Sequence, residues 1–235
     1  MRYVAYLNKS AIDNIENIIN LVDFDAITEI DSFYFAGSSA KNGVLTVDVI
    51  NKILSKITHI NKLRVSITGF YNISEDATID LNLPNCTDLY DSFDNLANYG
   101  YGGMLTFDFH GSTKEVTSWG SAFYGYSSWT PIVDGFLNVA FDKMTSLNSA
   151  FQRHPKATRL TFDGSFGGSS TTSSLTLNLS SWTSLTVDAF LETMTTISEN
   201  TSGKTRIFKL PSALYESLTD DIWDLADEKL YDIAS

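Results

Sequence analysis

The feature that most constrains this chain is a recurrence. Segments that alternate apolar and polar residues with period two return along its length, the mark of strands with one buried face. They are Ile30–Phe35, Leu63–Ile67, Ile79–Leu83, Leu105–Phe109, Leu137–Phe141, Leu160–Phe162, Leu175–Leu179 and Ile207–Leu210. The interval from Phe33 to Val65 matches that from Leu177 to Phe208 to within one position, and the central strands recur at comparable intervals. Between them a second signature returns, a pair of small or acidic residues followed by Phe: Asp91-Ser92-Phe93, Ser121-Ala122-Phe123, Ser149-Ala150-Phe151 and Asp188-Ala189-Phe190. The steps from Phe93 to Phe123 and from Phe123 to Phe151 are nearly equal. The step on to Phe190 is longer, and removing the Gly/Ser segment 164–174 makes it equal to the step before it. That segment reads as a surface loop inserted into one unit. Each unit exposes an apolar face that it cannot bury alone, so neighbours must stack and share a core.

Some connectors carry helical periodicity. Ile50, Ile53, Leu54 and Ile57 fall on one face behind Thr46, with Asp48 in the first turn. Ile12, Ile15, Ile18, Ile19 and Val22 follow Ser10, and Val187, Phe190, Leu191, Met194 and Ile197 follow Thr186. Thr219 is expected to cap a helix that opens with Asp220 and Asp221 and turns Ile222, Leu225 and Ala226 inward. The connectors around Ser121 and Ser149 are shorter and rich in Ser and Gly, as single turns or 3₁₀ segments would be. These elements predict an α/β repeat fold: a leucine-rich-repeat solenoid with one curved parallel sheet and short helical or 3₁₀ connectors. A doubly wound α/β domain fits less well, because phosphate-binding glycine loops are absent and the central connectors are too short for crossover helices. One domain spans 1–235, with N-terminal capping repeats over 1–61, irregular central repeats over 62–198 and a C-terminal cap over 199–235. The helices at 10–22 and 219–229 are the expected caps on the open ends.

Composition narrows the partners. The 235 residues carry 16 Lys+Arg against 28 Asp+Glu, a formal charge of -12. A chain of that sign lacks the cations that a nucleic-acid backbone or an anionic membrane requires. Ser, Thr and Asn make up roughly 29% of the chain, an uncharged-polar bias typical of binding modules and virion parts. No apolar run approaches the length of a spanning helix. The segment Met1–Leu7 is too short for a signal-peptide core, so neither a signal peptide nor a transmembrane segment is expected.

Catalytic and metal motifs are not evident. The single Cys86 excludes an internal disulfide framework and reads as a small buried thiol. His59, His110 and His154 stand in separate units without metal-ligand spacing, and His110 reads as a polar rim residue. Gly120-Ser121 lacks the second glycine of a nucleophile elbow. Asp23, Asp25, Glu29 and Asp31 lack the glycine and terminal ligand of a calcium loop, so they read as a solvated acidic stretch. The same holds for Asp220, Asp221, Asp224, Asp227 and Glu228. No cofactor, bound metal or enzymatic activity is expected. The sharper feature is aromatic. Tyr99 and Tyr101, set among glycines, lie one unit before Trp119, Tyr124, Tyr126 and Trp129, so stacked turns would gather them on one edge as a candidate partner-binding patch; the other reading places Trp119 and Phe123 in the core and leaves only some of the tyrosines exposed.

The segments Val116-Thr117-Ser118-Trp119-Gly120-Ser121-Ala122-Phe123 and Met144-Thr145-Ser146-Leu147-Asn148-Ser149-Ala150-Phe151 resemble BspA-like leucine-rich repeats. In place of the cysteine that family usually carries shortly after the Phe, this chain has Gly125 or His154. The stretch Leu175–Ser181, Thr201–Thr205, Leu218–Asp220 and Leu230–Ile233 resembles the closing repeat of leucine-rich-repeat proteins carried by bacteriophages of gut bacteria. The resemblance covers residues 62–235, with 1–61 joined by periodicity. It implies a non-enzymatic virion protein, decorating the particle or attaching it to a host surface, with other virion proteins or a host-surface protein or glycan as partners. The alternative it leaves is a bacterial cell-surface or intracellular interaction module. Homo-oligomerisation stays open.

Overall fold

A computed structural model of the chain describes residues 4–7, 17, 20–36, 47–68, 75–94, 103–125, 133–167 and 173–235. Its strands form three all-parallel sheets. The first joins β1 (Val4–Leu7), β2 (Glu29–Ala36) and β3 (Lys62–Thr68). The second joins β4 (Ala77–Asp80), β5 (Leu105–Asp108), β6 (Val133–Phe141) and β7 (Arg159–Phe166). The third joins β8 (Leu175–Asn178), β9 (Arg206–Lys209) and β10 (Asp232–Ala234). Helices α1 (Val47–Leu54), α2 (Val187–Thr196), α3 (Ser212–Tyr215) and α4 (Asp220–Glu228) and two 3₁₀ turns, Phe24–Ala26 and Ser112–Glu115, complete the described elements. The chain is thus α/β with parallel sheets and few helices. Among the described residues the strands fall into three sheets rather than the one curved sheet expected, and β1 lies where the alternation marked no strand.

The division has a physical origin. The outer edge of β3 is taken by a turn rather than by β4: Leu63 N–H donates to the Asp88 carbonyl at 3.1 Å and Phe93 N–H to that of Val65 at 2.6 Å. That turn hands the pairing on through isolated parallel bridges, Lys62 to Asp88, Asp88 to Ser118 and Ser118 to Ser146. A column of turns results. Thr87 N–H donates to Asn61 C=O at 2.8 Å, Thr117 to Thr87 at 2.9 Å and Thr145 to Thr117 at 2.9 Å. The three threonine hydroxyls donate to the same carbonyls at 3.2, 3.1 and 3.0 Å.

Each turn of the column holds two residues in the left-handed region: Asp91 and Phe93, Ser121 and Phe123, Ser149 and Phe151, with φ between 54° and 63°. For a bulky side chain this costs about 1–2 kcal/mol. Burying a Phe ring returns about 1.5–3 kcal/mol and each aromatic pair about 0.5–1.5 kcal/mol, so packing wins. The rings of Phe93, Phe123 and Phe151 are buried and stack in sequence, and Phe107 and Phe136 meet Phe123 edge-on at 5.0 and 5.3 Å.

Two local expectations change. In β6 the alternation breaks, because Asn138 adopts φ 54° and the register shifts on both sides of Val139. Phe136 then faces the core while Leu137 is half-exposed, and Ala140 and Phe141 are both buried. The segment 164–174 is not all loop. Gly164–Phe166 continue β7, with Phe166 buried against Phe141, Phe208 and Tyr231. The wholly buried Arg206 clamps its far side, donating to the carbonyls of Phe166 (2.9 Å), Gly167 (2.8 Å) and Ser173 (3.0 Å).

Helices cover the edges of the four-stranded sheet. On β4, the Asn51 amide of α1 donates to Thr78 C=O at 2.9 Å and accepts from Asp80 N–H at 3.0 Å, standing in for a neighbouring strand. On β7, Thr193 of α2 donates to Leu160 C=O at 2.7 Å and Thr196 accepts from Phe162 N–H at 3.1 Å. Thr186 caps α2 by accepting from Ala189 N–H at 3.2 Å. At its other end the Lys229 ammonium donates to Met194, Thr195 and Ile197 carbonyls at 2.7, 2.9 and 2.6 Å. Contrary to expectation, the Thr219 side chain makes no capping bond to α4. Asp220 and Asp221 supply the negative charge that a helix start favours. Ile222 and Ala226 are buried and Leu225 packs partly against the core, while the 10–22 cap lies largely outside the described residues.

Candidate binding surface

Of the six aromatic residues expected to form a patch, Tyr99, Tyr101, Tyr126 and Trp129 lie outside the described residues. Trp119 is no surface residue. It is 0% exposed, edge-on to Phe141 at 4.8 Å and tilted on Phe151 at 5.5 Å. It fills the inward place held by Leu89 and Leu147 in the neighbouring turns, both also buried. Its Nε1 has no hydrogen-bond partner among the described residues, a penalty of about 1–3 kcal/mol that the packed indole offsets. Tyr124 is half-buried beneath the Arg153 guanidinium, 4.7 Å from the ring centre.

A second pair of this kind was missed in the sequence. Tyr90 is 41% exposed, with the Arg64 guanidinium 5.2 Å from its ring centre. The ring lies across Gly120, where an added Cβ would come within 2.8 Å of it. Such cation–π pairs contribute about 0.5–1 kcal/mol at exposed sites and hold the rings in fixed poses. The signal was present as spacing: Tyr90, Gly120 and Asn148 occupy the same place in successive turns, and a large ring facing glycine needs no other shelf.

The strand side is polar. His110 is exposed as expected, with Nε2 3.2 Å from Asp80 Oδ1 and Nδ1 3.6 Å from Asp108 Oδ1, and Asn138 donates to Asp108 at 2.9 Å. His154 is buried and donates through Nε2 to Phe123 C=O, and burial pushes its imidazole down to about 4. Cys86 is buried, with Sγ 3.4 Å from the Asp88 carbonyl, and burial pushes the thiol up to about 12. Asp23, Asp25 and Glu29 are exposed. Among the described residues no group of three or more His, Cys, Asp or Glu side chains is placed to hold a metal ion, and no helix is long and apolar enough to cross a membrane.

Grooves open on this surface. One, where α1 crosses β4, is charged and lined by Asp48, Lys52 and Asp80 among others. Another opens where the turn column ends. Thr145 to Ala150 with Gln152 form one wall, and Ser173 to Thr176 with Asn178 form the other. Among the described residues no charged side chain lines it, an unusual surface for a chain of net charge -12. Sequence reading missed this groove as well. Leu175 follows Leu147 by the same interval that separates Phe151 from Phe123, and that was the signal that these segments lie side by side. Comparison with family models, curated proteins and solved structures returned no match.

Proposed function

We propose that this chain is a leucine-rich-repeat solenoid of the BspA-like kind, acting as a non-enzymatic binding or structural protein of a bacteriophage particle. The observation that carries the reading is the turn column. The same threonine hydroxyl bond recurs across 26, 30 and 28 residues, as stacked repeats require. Stacking of this kind presents rigid rows of side chains over a long surface, which suits recognition of a protein or glycan better than enclosure of a small substrate. The resemblance of residues 116–123 and 144–151 to that family supports the same assignment. Other virion proteins or a host-surface protein or glycan are the proposed partners, with Tyr99, Tyr101, Tyr124, Tyr126 and Trp129 as the contact residues. Mass spectrometry of purified particles is expected to find the chain. Its absence from particles, with bacterial proteins co-purifying instead, would leave the bacterial interaction module. Replacing Tyr99, Tyr101, Tyr124 and Tyr126 together with Ala is expected to weaken partner capture, and unchanged capture sinks the patch.

A further inference from the structure

We infer that the uncharged groove between residues 145–152 and β8 is a docking site for one extended polypeptide strand of a partner protein. The inference holds whether that partner belongs to a virion or to a bacterium. It begins from hydrogen-bond accounting in the turn column. In the preceding turn Thr117 C=O accepts from Thr145 N–H at 2.9 Å, Trp119 N–H donates to Ser146 C=O at 3.1 Å, and Ser121 N–H donates to Asn148 C=O at 2.7 Å. The corresponding groups one turn further on are Thr145 C=O, Leu147 N–H and Ser149 N–H. None of the three has a partner among the described residues.

The opposite wall is also an open edge. Strand β8 pairs with β9 in parallel, Leu175 with Arg206 and Leu177 with Phe208, with Leu175 N–H bonded to Thr205 C=O at 3.1 Å and Leu179 N–H to Lys209 C=O at 2.7 Å. Backbone groups alternate sides along a strand, so the N–H and C=O of Thr176 and Asn178 point away from β9, into the groove that both residues line. They too have no backbone partner among the described residues.

The two walls part only locally. Contact resumes where Arg153 N–H donates to Ser181 Oγ at 2.7 Å, Trp182 Nε1 to Phe151 C=O at 2.7 Å and Ser184 N–H to Pro155 C=O at 3.0 Å. Each wall is anchored from behind, one by residues 117–121 and the other by β9 and the Arg206 clamp on Ser173. The result is a slot with unpaired donors and acceptors on both sides. An extended main chain offers the complementary row to each wall, in the manner of strand addition. The described lining residues carry no charge, which selects an uncharged segment, and the buried Leu147 and Leu175 among them suit small apolar side chains pointing inward. A neutral glycan could meet the hydroxyls and amides but has no alternating N–H and C=O row to match.

The test uses the full chain, isotope-labelled for amide exchange, and a blocked heptapeptide alternating valine and serine. The expected result is exchange slowed about tenfold or more at Leu147, Ser149, Thr176 and Asn178 when peptide saturates. Thr176→Pro removes one groove-facing N–H while leaving the β8–β9 pairing, and is expected to weaken peptide binding about fivefold. The same peptide N-methylated at alternate amides is a ligand-side control on the unaltered chain, so the comparison survives if the proline variant does not fold. The inference is overturned if these four amides gain no protection, if the methylated peptide binds equally well, or if maltoheptaose protects them equally.

Discussion

Phe93 and Phe123 lie face to face, ring centres 5.1 Å apart and planes 5° apart, and both do so from a left-handed backbone. The stack sits between the turn column and the sheet β4–β7, so it carries packing for both. Its cost and its gain are placed on the same residue, the strained φ on the backbone and the compensation on the ring.

Truncating that ring should therefore expose the strain. Phe123→Ala is expected to lower unfolding free energy by about 3–5 kcal/mol in urea titration. Phe123→Gly should be no worse than the Ala variant, since glycine holds positive φ freely and recovers up to about 1 kcal/mol. The ordinary order, Gly clearly below Ala, would show that the left-handed turn does not persist.

Asn51 is the molecular stand-in for a strand beside β4. Asn51→Ala removes both bonds and uncovers Thr78 C=O and Asp80 N–H at an exposed edge. The expected effect is a modest loss of about 1–2 kcal/mol together with concentration-dependent self-association, read by light scattering. A variant that remains monodisperse at high concentration argues against edge protection by this residue.

Acid sensitivity should trace to His154. In the unfolded chain its imidazole takes up a proton below about 6.5, while the buried native imidazole resists until about 4. The unfolded state therefore binds more protons in that window, and stability falls as pH drops from 6.5 towards 4, by roughly 3 kcal/mol at the lower end. His154→Gln should flatten this slope in urea melts taken across the window. An unchanged slope assigns acid sensitivity to other groups.

Cys86 predicts the opposite limb. Burial holds the native thiol protonated to about 12, whereas the unfolded thiol ionises near 8.5. Stability should fall as pH rises above about 8.5, and a thiol-selective reagent at about pH 8 should label the chain only after denaturant is added. Rapid labelling of the native protein would contradict the burial.

Much of this architecture was legible in the chain. Alternation survives wherever a strand is regular, as in β4 and β8, and the helical periodicity at α1 and α2 survives because each packs one face on a sheet edge. Reading failed where tertiary pairing overrides local pattern. The turn 87–93 carries no strand alternation, yet it takes the edge of β3, so the division into three sheets left no local mark. Asn138 shifts the register of β6 through its backbone, which side-chain alternation cannot report. Trp119 beside Gly120 admits both a surface and a core reading, and its spacing decides between them: it stands from Leu89 and Leu147 as Phe123 stands from Phe93 and Phe151, which places it in an inward column. The groove was the least legible of all, because its chemistry lies in unpaired backbone groups that every residue type carries.

The threonine column has a consequence for how this chain can change its length. The stretch from Thr117 to Thr145 starts and finishes on the same bonding geometry, one amide and one hydroxyl donating to the carbonyl of the preceding threonine. Duplicating or excising that whole stretch rejoins like to like, whereas adding one residue inside a turn displaces Phe123 or Phe151 from its stack. Growth by whole modules is open to such a molecule, and growth by single codons is confined to stretches that lie off the column.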